Sequence, residues 1–340
     1  MSRIAIIGAG AWGTGLAIVL GRKGTHDFRH EVRLWANEPE VSESIAQSRI
    51  NSHFLPGFIL PESIAATSDL NTALEGAEIV VSVMPSQHCR ALFERMAPDL
   101  GPEILFVSCT KGLEDGTLLR MTEVIGDVLR RRKFTPRVAA LSGPSFAKEV
   151  ARGDPTAVTV ASVDADVTRA VQQAFNDSRF RVYTNDDVIG VELGGALKNI
   201  IAIAAGVCDG VGLGHNSVAA LITRGLAEVA RLVVACGGRL DTMFGLAGLG
   251  DLVLTCTGDL SRNRSVGVEL GKGRTLSDII ADMHGAVAEG VFTTKAALGL
   301  ARKKNVEMPI TEQMFAILEN GKSPQQAIEE LMTRATRSEI

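Results

Sequence analysis

Residues 3–13 read RIAIIGAGAWG, and this short stretch decides how the first half of the chain folds. The apolar run Arg3–Ile7 is typical of a buried strand, and a G-x-G-x-x-G pattern follows it directly. In that context Gly8 permits a tight turn, Gly10 lets the backbone approach a pyrophosphate, and Gly13 lets helix and strand pack. Because the next helix would present N–H groups and partial positive charge, the stretch predicts a dinucleotide-binding turn.

Short apolar runs alternate with helical patterns through the rest of this half. Val, Ile and Leu occupy both faces of the runs, as expected for parallel strands that are covered on both sides. The predicted strands are Arg3–Ile7, Val32–Trp35, Ile79–Val83, Ile104–Ser108, Val138–Leu141, Ala157–Ala161 and Arg179–Tyr183. The predicted helices are Gly13–Gly21, Ser86–Met96, Leu118–Arg131 and Ala165–Phe175. This alternation predicts a doubly wound, Rossmann-type α/β domain with a mostly parallel sheet.

The second half has a different character, because strand patterns nearly vanish after Asp186. The predicted helices are Val188–Val207, Val218–Cys236, a short one from Leu252, one near Arg264–Leu270, Thr275–Met283, Thr293–Lys303, Thr311–Asn320 and Pro324–Thr333. Ser323 is the expected N-cap of the last helix. A chain of 340 residues exceeds what one core usually supports. We therefore predict a dinucleotide-binding domain over 1–185 and an all-helical catalytic domain over 186–340.

Composition narrows the class of protein. A net charge of −4 gives no support for a nucleic-acid partner. The five cysteines lie far apart without metal-ligand spacing, so we expect no metal site, no disulfide framework and a reducing, cytoplasmic location. The run Val188–Cys208 is very apolar but contains charged residues and glycines. It favours a buried core helix over a membrane span.

Three loops follow predicted strands and should lie at the carboxyl edge of the sheet, where ligands of such sheets bind. They are Met84–Ser86, Thr110–Gly112 and Gly143–Ser145. Lys111 places a cation at this edge, although a solvated surface lysine would give the same pattern. Gly143 and Ser145 suggest an anion-binding turn that leads into a helix, although a plain turn is the alternative.

The choice between NAD and NADP should depend on the end of the second strand, where an acidic residue binds the ribose 2′-hydroxyl. This chain has Ala36 and Asn37 there, and Glu38 comes one or two residues late. The pattern leaves the choice open and slightly favours acceptance of NADP.

Lys198 is the sharpest clue in the helical half. Helical side chains lean back over positions i−3 and i−4, which here are Gly195 and Gly194. We therefore expect the lysine to project over a vacant hollow on an otherwise apolar helix. Burying a charge and placing glycines inside a helix both cost free energy, so the pattern favours a ligand site with acid–base chemistry. An ion-paired or snorkelling lysine is the alternative.

Two further segments carry polar groups suited to a site. Asp251 follows a glycine-rich loop, and Thr255 lies one turn later on the same helix face, although helix capping alone would explain the aspartate. Ser261-Arg262-Asn263 combines an N-cap candidate, a guanidinium and a helix N-terminus, a combination that suits a phosphate. A polar helix start is the alternative.

The chain resembles the bacterial type of soluble NAD(P)-dependent glycerol-3-phosphate dehydrogenases. The matching pieces run in order over nearly the whole chain: residues 8–14, 108–114, 141–147, 192–199 and 248–252, Thr255, residues 261–263 and residues 287–290. The resemblance implies reduction of dihydroxyacetone phosphate to sn-glycerol 3-phosphate with NADH or NADPH, for glycerophospholipid synthesis in the cytoplasm. It also implies a small-molecule substrate; a homodimer stays open.

The resemblance also implies residue roles. Lys198 would donate and accept the proton, and we expect Asp251, Asn199 and Thr255 to complete the catalytic group. The substrate would contact Lys111, Gly143, Ser145, Lys198, Asp251, Ser261, Arg262 and Asn263. The dinucleotide would contact Gly8, Gly10, Ala11, Trp12, Gly13, Asn37, Lys111, Ala147, Arg262, Val287 and Glu289. A related two-domain hydroxy-acid dehydrogenase and a non-catalytic dinucleotide sensor are the alternative functions.

Overall fold

The computed structural model describes residues 2–22, 30–283, 288–336 and 338. The chain forms two compact units, of which the first comprises Met1–Glu114 with Leu119–Glu192 and the second comprises Asp115–Leu118 with Leu193–Ile340. The first unit is α/β and the second is helical. The proposed domain ranges 1–185 and 186–340 stay a prediction, because compact units are defined by contacts and not by independent folding.

The first unit is built on an eight-stranded sheet with the order β10-β9-β8-β7-β6-β1-β2-β5. The ten strands of the described chain are β1 Arg3–Ile7, β2 Glu31–Trp35, β3 Ile50–Asn51, β4 Leu55–Ile59, β5 Ile64–Thr67, β6 Ile79–Ser82, β7 Leu105–Ser108, β8 Arg137–Ser142, β9 Thr156–Ala161 and β10 Phe180–Asn185. Strands β8 and β9 pair antiparallel, and the other neighbours in this sheet pair parallel. The predicted mostly parallel sheet is confirmed.

Helices cover both faces of this sheet. They are α1 Ala11–Gly21, α2 Pro39–Ser48, α3 Leu70–Leu74, α4 Cys89–Met96, α5 Met121–Arg130, α6 Ala147–Arg152 and α7 Ala165–Phe175, with 3₁₀ turns at Ser86–His88 and Ala97–Asp99. Alternate residues of one strand enter two different cores, as Val81 and Val80 of β6 show. This double burial explains why the strand sequences are apolar on both parities.

The first unit contains elements that the sequence patterns did not reveal. Strand β5 forms one edge of the sheet, and β3 with β4 forms a separate antiparallel hairpin. Residues 55–59 read LPGFI, and Pro and Gly are typical of turns, so the pattern favours a loop. Helices α2 and α3 were also not predicted, whereas α6 is the helix expected after the Gly143–Ser145 turn. Three of the ten residues of α2 are buried, and α3 is five residues long.

Helices make up the described chain after β10, as predicted. They are α8 Val188–Val211, α9 His215–Ala235, α10 Leu240–Met243, α11 Asp251–Thr257, α12 Arg262–Gly271, α13 Leu276–Asp282, α14 Glu289–Lys304, α15 Pro309–Asn320 and α16 Pro324–Met332, with a π-helical turn at Leu246–Gly250. The predicted N-cap is confirmed, because the Ser323 hydroxyl accepts a hydrogen bond from the backbone N–H of Gln326.

Within the described residues, two segments have the length and composition of a membrane span, Val188–Val211 and Leu240–Thr257. In α8, 83% of the most apolar window is buried inside the protein, whereas the figure for the second segment is 44%. The buried share of α8 is what a core helix requires.

A buried carboxylate holds the start of α15. Glu228 of α9 is 1% exposed, and it accepts hydrogen bonds from the backbone N–H groups of Ile310 and Thr311 at 2.8 and 2.9 Å and from the Thr311 hydroxyl at 2.7 Å. Burial raises the pKa of the Glu228 carboxyl, while these donors lower it. The carboxylate thus satisfies backbone donors that a helix N-terminus leaves without intrahelical partners.

We predict that Glu228→Ala destabilises the protein by roughly 2–4 kcal/mol, because it leaves two buried N–H groups without acceptors. Glu319→Ala, which alters an exposed residue of α15, should change stability by less than about 0.5 kcal/mol. Urea denaturation of both variants checks this. Equal stability of the two variants would contradict the assigned role of Glu228.

Candidate functional site

The glycine turn between β1 and α1 has a physical reason for each glycine. Gly8 has φ +124°, a conformation that side chains rarely adopt. A Cβ on Gly13 would lie 1.9 Å from the Gly8 carbonyl oxygen, so the helix could not approach the turn. A Cβ on Gly10 would meet nothing within 4 Å. The turn therefore leaves open space at Gly10, where the sequence predicts a pyrophosphate.

The other predicted dinucleotide contacts of the first unit lie on neighbouring elements. Ala11 is the first residue of α1, and Ala147 is the first residue of α6. A Cβ on Gly15 would lie 3.3 Å from the Ala147 carbonyl oxygen, so α1 and α6 pack closely. The indole nitrogen of Trp12 is buried, and no described residue accepts its hydrogen bond. The dinucleotide contacts predicted at Ala11 and Ala147 thus lie at the starts of two helices that pack together.

Asn37 follows β2 and is exposed. Its side-chain amide lies 3.4 Å from a carboxylate oxygen of Glu38, which is exposed as well. The carboxylate is therefore held beside Asn37, one residue beyond the predicted ribose position. This arrangement keeps both dinucleotides possible.

The three loops at the carboxyl edge of the sheet are joined by hydrogen bonds. The Thr110 hydroxyl donates to the Met84 carbonyl at 2.9 Å, and the Lys111 ammonium donates to the Gly143 carbonyl at 3.2 Å. The Ser145 hydroxyl donates to the same carbonyl at 3.0 Å. Gly143 has φ +141°, and a Cβ there would lie 2.9 Å from the Val158 Cα. The structure thus brings Lys111, Gly143 and Ser145 together, as predicted.

Sequence reasoning missed three serines at the same edge. Ser82, Ser108 and Ser142 are the last residues of β6, β7 and β8, which are neighbours in the sheet. Their hydroxyls are buried and have no hydrogen-bond partner among the described residues. Alternation along the strands places all three on one face of the sheet. Their positions at strand ends were visible in the sequence, but their shared face required the register.

In the second unit, Lys198 lies on α8 and is 6% exposed. Its ammonium donates to a carboxylate oxygen of Asp251 and, at 2.6 Å, to the Thr255 hydroxyl. The Thr255 hydroxyl in turn donates to the Asp251 carbonyl at 2.6 Å, so it meets the ammonium as an acceptor. Asp251 and Thr255 lie one turn apart on α11, and both are buried. The predicted catalytic lysine is therefore ion-paired.

The predicted hollow beside Lys198 is wrong at Gly194. A Cβ on this residue would lie 2.8 Å from the Ala247 carbonyl oxygen and 2.9 Å from the Met243 methyl carbon. Gly194 therefore makes room for the π-helical turn and not for a ligand. Gly248, inside that turn, lets it pack against the end of α10, because a Cβ there would lie 2.3 Å from the Met243 carbonyl oxygen.

The predicted phosphate-binding segment forms the start of α12. The Ser261 hydroxyl accepts a hydrogen bond from the Arg264 N–H, which confirms the N-cap. Arg264 has a structural role, because its guanidinium forms ion pairs with Asp209 and Asp259. Arg262 is the first residue of α12 and is exposed. Partial desolvation by neighbouring protein atoms lowers the pKa of Arg262, and the charge of Glu289 raises it. An arginine guanidinium remains charged at neutral pH.

Asn263 connects three helices. Its side-chain amide donates to the Asn199 side-chain oxygen at 3.0 Å, and its side-chain oxygen accepts from the Gly290 N–H at 2.9 Å. It thus ties α12 to α8 and to the start of α14, where Glu289 lies. Val287, a predicted dinucleotide contact, lies outside the described residues.

Glycines bring α12 directly against α8. A Cβ on Gly206 would lie 2.0 Å from the Arg264 carbonyl oxygen, and a Cβ on Gly267 would lie 2.0 Å from the Ile203 carbonyl oxygen. One turn later, a Cβ on Gly210 would lie 2.2 Å from the Val268 carbonyl oxygen, and a Cβ on Gly271 would lie 2.6 Å from the Val207 carbonyl oxygen. Backbone contact therefore sets the distance between the lysine helix and the helix that begins at Arg262.

The cysteines are not suited to reactive chemistry beside the Lys198, Asp251 and Thr255 group. None of the five cysteines, all of which the structure describes, forms a disulfide, and four are buried. Burial raises the pKa of Cys256, which follows Thr255, to about 12. The thiol therefore stays protonated at neutral pH.

Two family models match the chain. The NAD-dependent glycerol-3-phosphate dehydrogenase N-terminus model matches residues 3–168, and the corresponding C-terminus model matches residues 187–329. The chain belongs to this family. The predicted resemblance is therefore confirmed over nearly the whole chain.

Individual members of the family agree with the models. A glycerol-3-phosphate dehydrogenase [NAD(P)+] of Koribacter versatilis is 66% identical over 340 residues, which is 100% of this chain and 99% of that protein. The protein of the same name from Acidobacterium capsulatum is 58% identical and is covered completely, as is this chain. The crystal structure of glycerol-3-phosphate dehydrogenase from Coxiella burnetii is 43% identical and has a TM-score of 0.92, with 98% of this chain and 99% of that chain covered.

Proposed function

We propose that this member of the glycerol-3-phosphate dehydrogenase family reduces dihydroxyacetone phosphate to sn-glycerol 3-phosphate with NADH or NADPH. The observation that carries the proposal is the buried group of Lys198, Asp251 and Thr255, which lies close to the start of α12 because the neighbouring Asn199 bonds to Asn263. Lys198 would be the proton donor, and the nearby start of α12 would bind the phosphate. The reaction requires both.

The glycine turn suits a dinucleotide. The open space at Gly10 would admit a bound pyrophosphate, and Trp12 would contact the dinucleotide from the first turn of α1. A reduced nicotinamide dinucleotide supplies the hydride for the carbonyl carbon of the substrate. Ala11, Ala147 and Asn37 would complete its contacts in the first unit, and Glu289 with Arg262 would complete them in the second.

Lys198 would act as the general acid. Its ammonium hydrogen-bonds the carbonyl oxygen of the substrate and donates a proton as alkoxide charge develops there. Asp251 and Thr255 fix the orientation of the ammonium, and the Asp251 carboxylate also offsets the cost of burying its charge. In the reverse direction the neutral amine is the base.

The start of α12 would hold the phosphate. Arg262 offers a guanidinium that can bind phosphate bidentately, and the helix N-terminus adds partial positive charge. Asn263 positions this segment through its bonds to Asn199 and Gly290, and it contacts the substrate from there. Lys111, Gly143 and Ser145 would provide the remaining substrate contacts. Anchoring the phosphate fixes the distance to the reacting carbon.

The product would serve glycerophospholipid synthesis in the cytoplasm. Support comes from the resemblance to the bacterial family and from the free cysteines, which fit a reducing compartment. The substrate is a small molecule, so no macromolecular partner is needed for the reaction.

Lys198→Ala should lower kcat by about 10²–10⁴-fold, because it removes the proton donor. Dinucleotide affinity should stay within about threefold of the wild type, a margin of under 1 kcal/mol. The control is Lys304→Ala, an exposed lysine of α14, which should turn over normally. Oxidation of NADH and NADPH with dihydroxyacetone phosphate is followed by absorbance. Near-normal turnover of Lys198→Ala would remove the lysine from the chemistry, and absence of oxidation by the wild type would favour a dinucleotide sensor.

Arg262→Ala should raise the KM for dihydroxyacetone phosphate about 10–100-fold, as expected for loss of a charge-assisted hydrogen bond. Arg262→Lys should lie between this variant and the wild type, because it keeps the charge but loses the fork. Inorganic phosphate should compete with substrate in the wild type and only weakly in Arg262→Ala. An unchanged KM would refute the phosphate anchor, and faster turnover of a hydroxy acid would favour a hydroxy-acid dehydrogenase.

A further inference from the structure

Asn51 is a completely buried amide beside the glycine turn. It lies in β3 of the hairpin, and its side-chain nitrogen donates to the Ala9 carbonyl and to the Thr14 hydroxyl, both at 2.8 Å. Its side-chain oxygen accepts from the Phe54 N–H at 3.0 Å. The Thr14 hydroxyl also donates to the Ala9 carbonyl, at 3.2 Å. The Ala9 carbonyl is therefore held by two buried donors.

The hydrogen bonds to the Ala9 carbonyl also fix the direction of the Gly10 N–H. In a planar trans peptide, the carbonyl of one residue and the N–H of the next residue point in opposite directions. Because Asn51 and Thr14 hold the Ala9 carbonyl, they turn the Gly10 N–H away from themselves. Gly10 is also the residue at which an added Cβ would meet nothing within 4 Å. The N–H is thus directed by a buried network at the point where the turn is open.

We propose that Asn51 is a positioning residue for dinucleotide binding, which orients the Gly10 N–H toward the pyrophosphate by fixing the Ala9 carbonyl. The inference rests on the proposed function, because it requires a dinucleotide at the glycine turn. Asn51 would act without touching the dinucleotide. A preorganised donor binds an anion more tightly than a mobile one, since the cost of ordering is met during folding.

The structure separates this role from simple anchoring of the hairpin. The Phe54 bond uses the side-chain oxygen of Asn51, whereas the Ala9 and Thr14 bonds use its nitrogen. Asn51→Asp keeps an acceptor for the Phe54 N–H but places a carboxylate oxygen opposite the Ala9 carbonyl. Asn51→Ala removes both kinds of bond.

The experiment measures the Kd of the full-length chain for NADPH and NADH by fluorescence, together with kcat and both KM values. Asn51→Asp and Asn51→Ala should each weaken dinucleotide binding by about tenfold or more, the equivalent of one or two hydrogen bonds. At saturating dinucleotide, kcat and the KM for dihydroxyacetone phosphate should stay within about threefold of the wild type. Thr14→Val keeps the side-chain shape and removes one partner, so it should weaken dinucleotide binding less.

Glu228→Ala is the control for stability, because it destabilises the second unit far from the glycine turn in sequence. Its dinucleotide Kd should match the wild type when measured well below its Tm. If Asn51→Asp binds the dinucleotide with the wild-type Kd and Asn51→Ala alone binds it more weakly, the proposal is overturned. Asn51 would then only anchor the hairpin. An equal loss in Glu228→Ala would overturn it too. A wild-type chain that binds no dinucleotide would instead refute the proposed function.

Discussion

The buried ion pair between Lys198 and Asp251 is the interaction on which the helical unit depends. A lone ammonium in this interior would lose several kcal/mol of hydration without compensation. The Asp251 carboxylate and the Thr255 hydroxyl supply that compensation, and both come from one turn of α11. Removing either charge leaves the other buried and unpaired. The pair therefore fixes the position of α11 relative to α8.

Glycines explain how these elements come close enough. Gly194 admits the carbonyl of Ala247 just before α11, and Gly206 and Gly267 admit backbone contact between α8 and α12. A lysine that must meet an aspartate from one helix and stand near the start of another needs short interhelical distances. The free-energy cost of glycine inside a helix, about 1 kcal/mol each, is offset by this geometry. The polar bonds of Asn263 then fix the third helix.

The sequence predicted the sheet well where burial on both faces made the strands continuously apolar, as in β1, β6 and β7. It missed β4 because Pro56 and Gly57 break the pattern, although that hairpin carries Asn51. It predicted that Lys198 leans toward Gly194 and Gly195 on one helix, because helical periodicity determines which residues are neighbours. It was wrong about the space at Gly194, because periodicity does not tell which distant segment fills a notch. The roles of Ser82, Ser108 and Asn51 depend on register and tertiary contact, which local patterns do not contain.

A double-mutant cycle in kcat between Lys198→Ala and Asp251→Asn measures directly whether Asp251 acts through Lys198. If Asp251 acts by holding and orienting the Lys198 ammonium, the aspartate change slows the wild type but has little further effect once the lysine is gone. The kcat of the double variant should therefore lie within about threefold of the kcat of Lys198→Ala alone, a difference in activation free energy of under 1 kcal/mol. If the two single losses in kcat multiply in the double variant, the two residues act independently. That result would contradict the role of Asp251 in orienting Lys198.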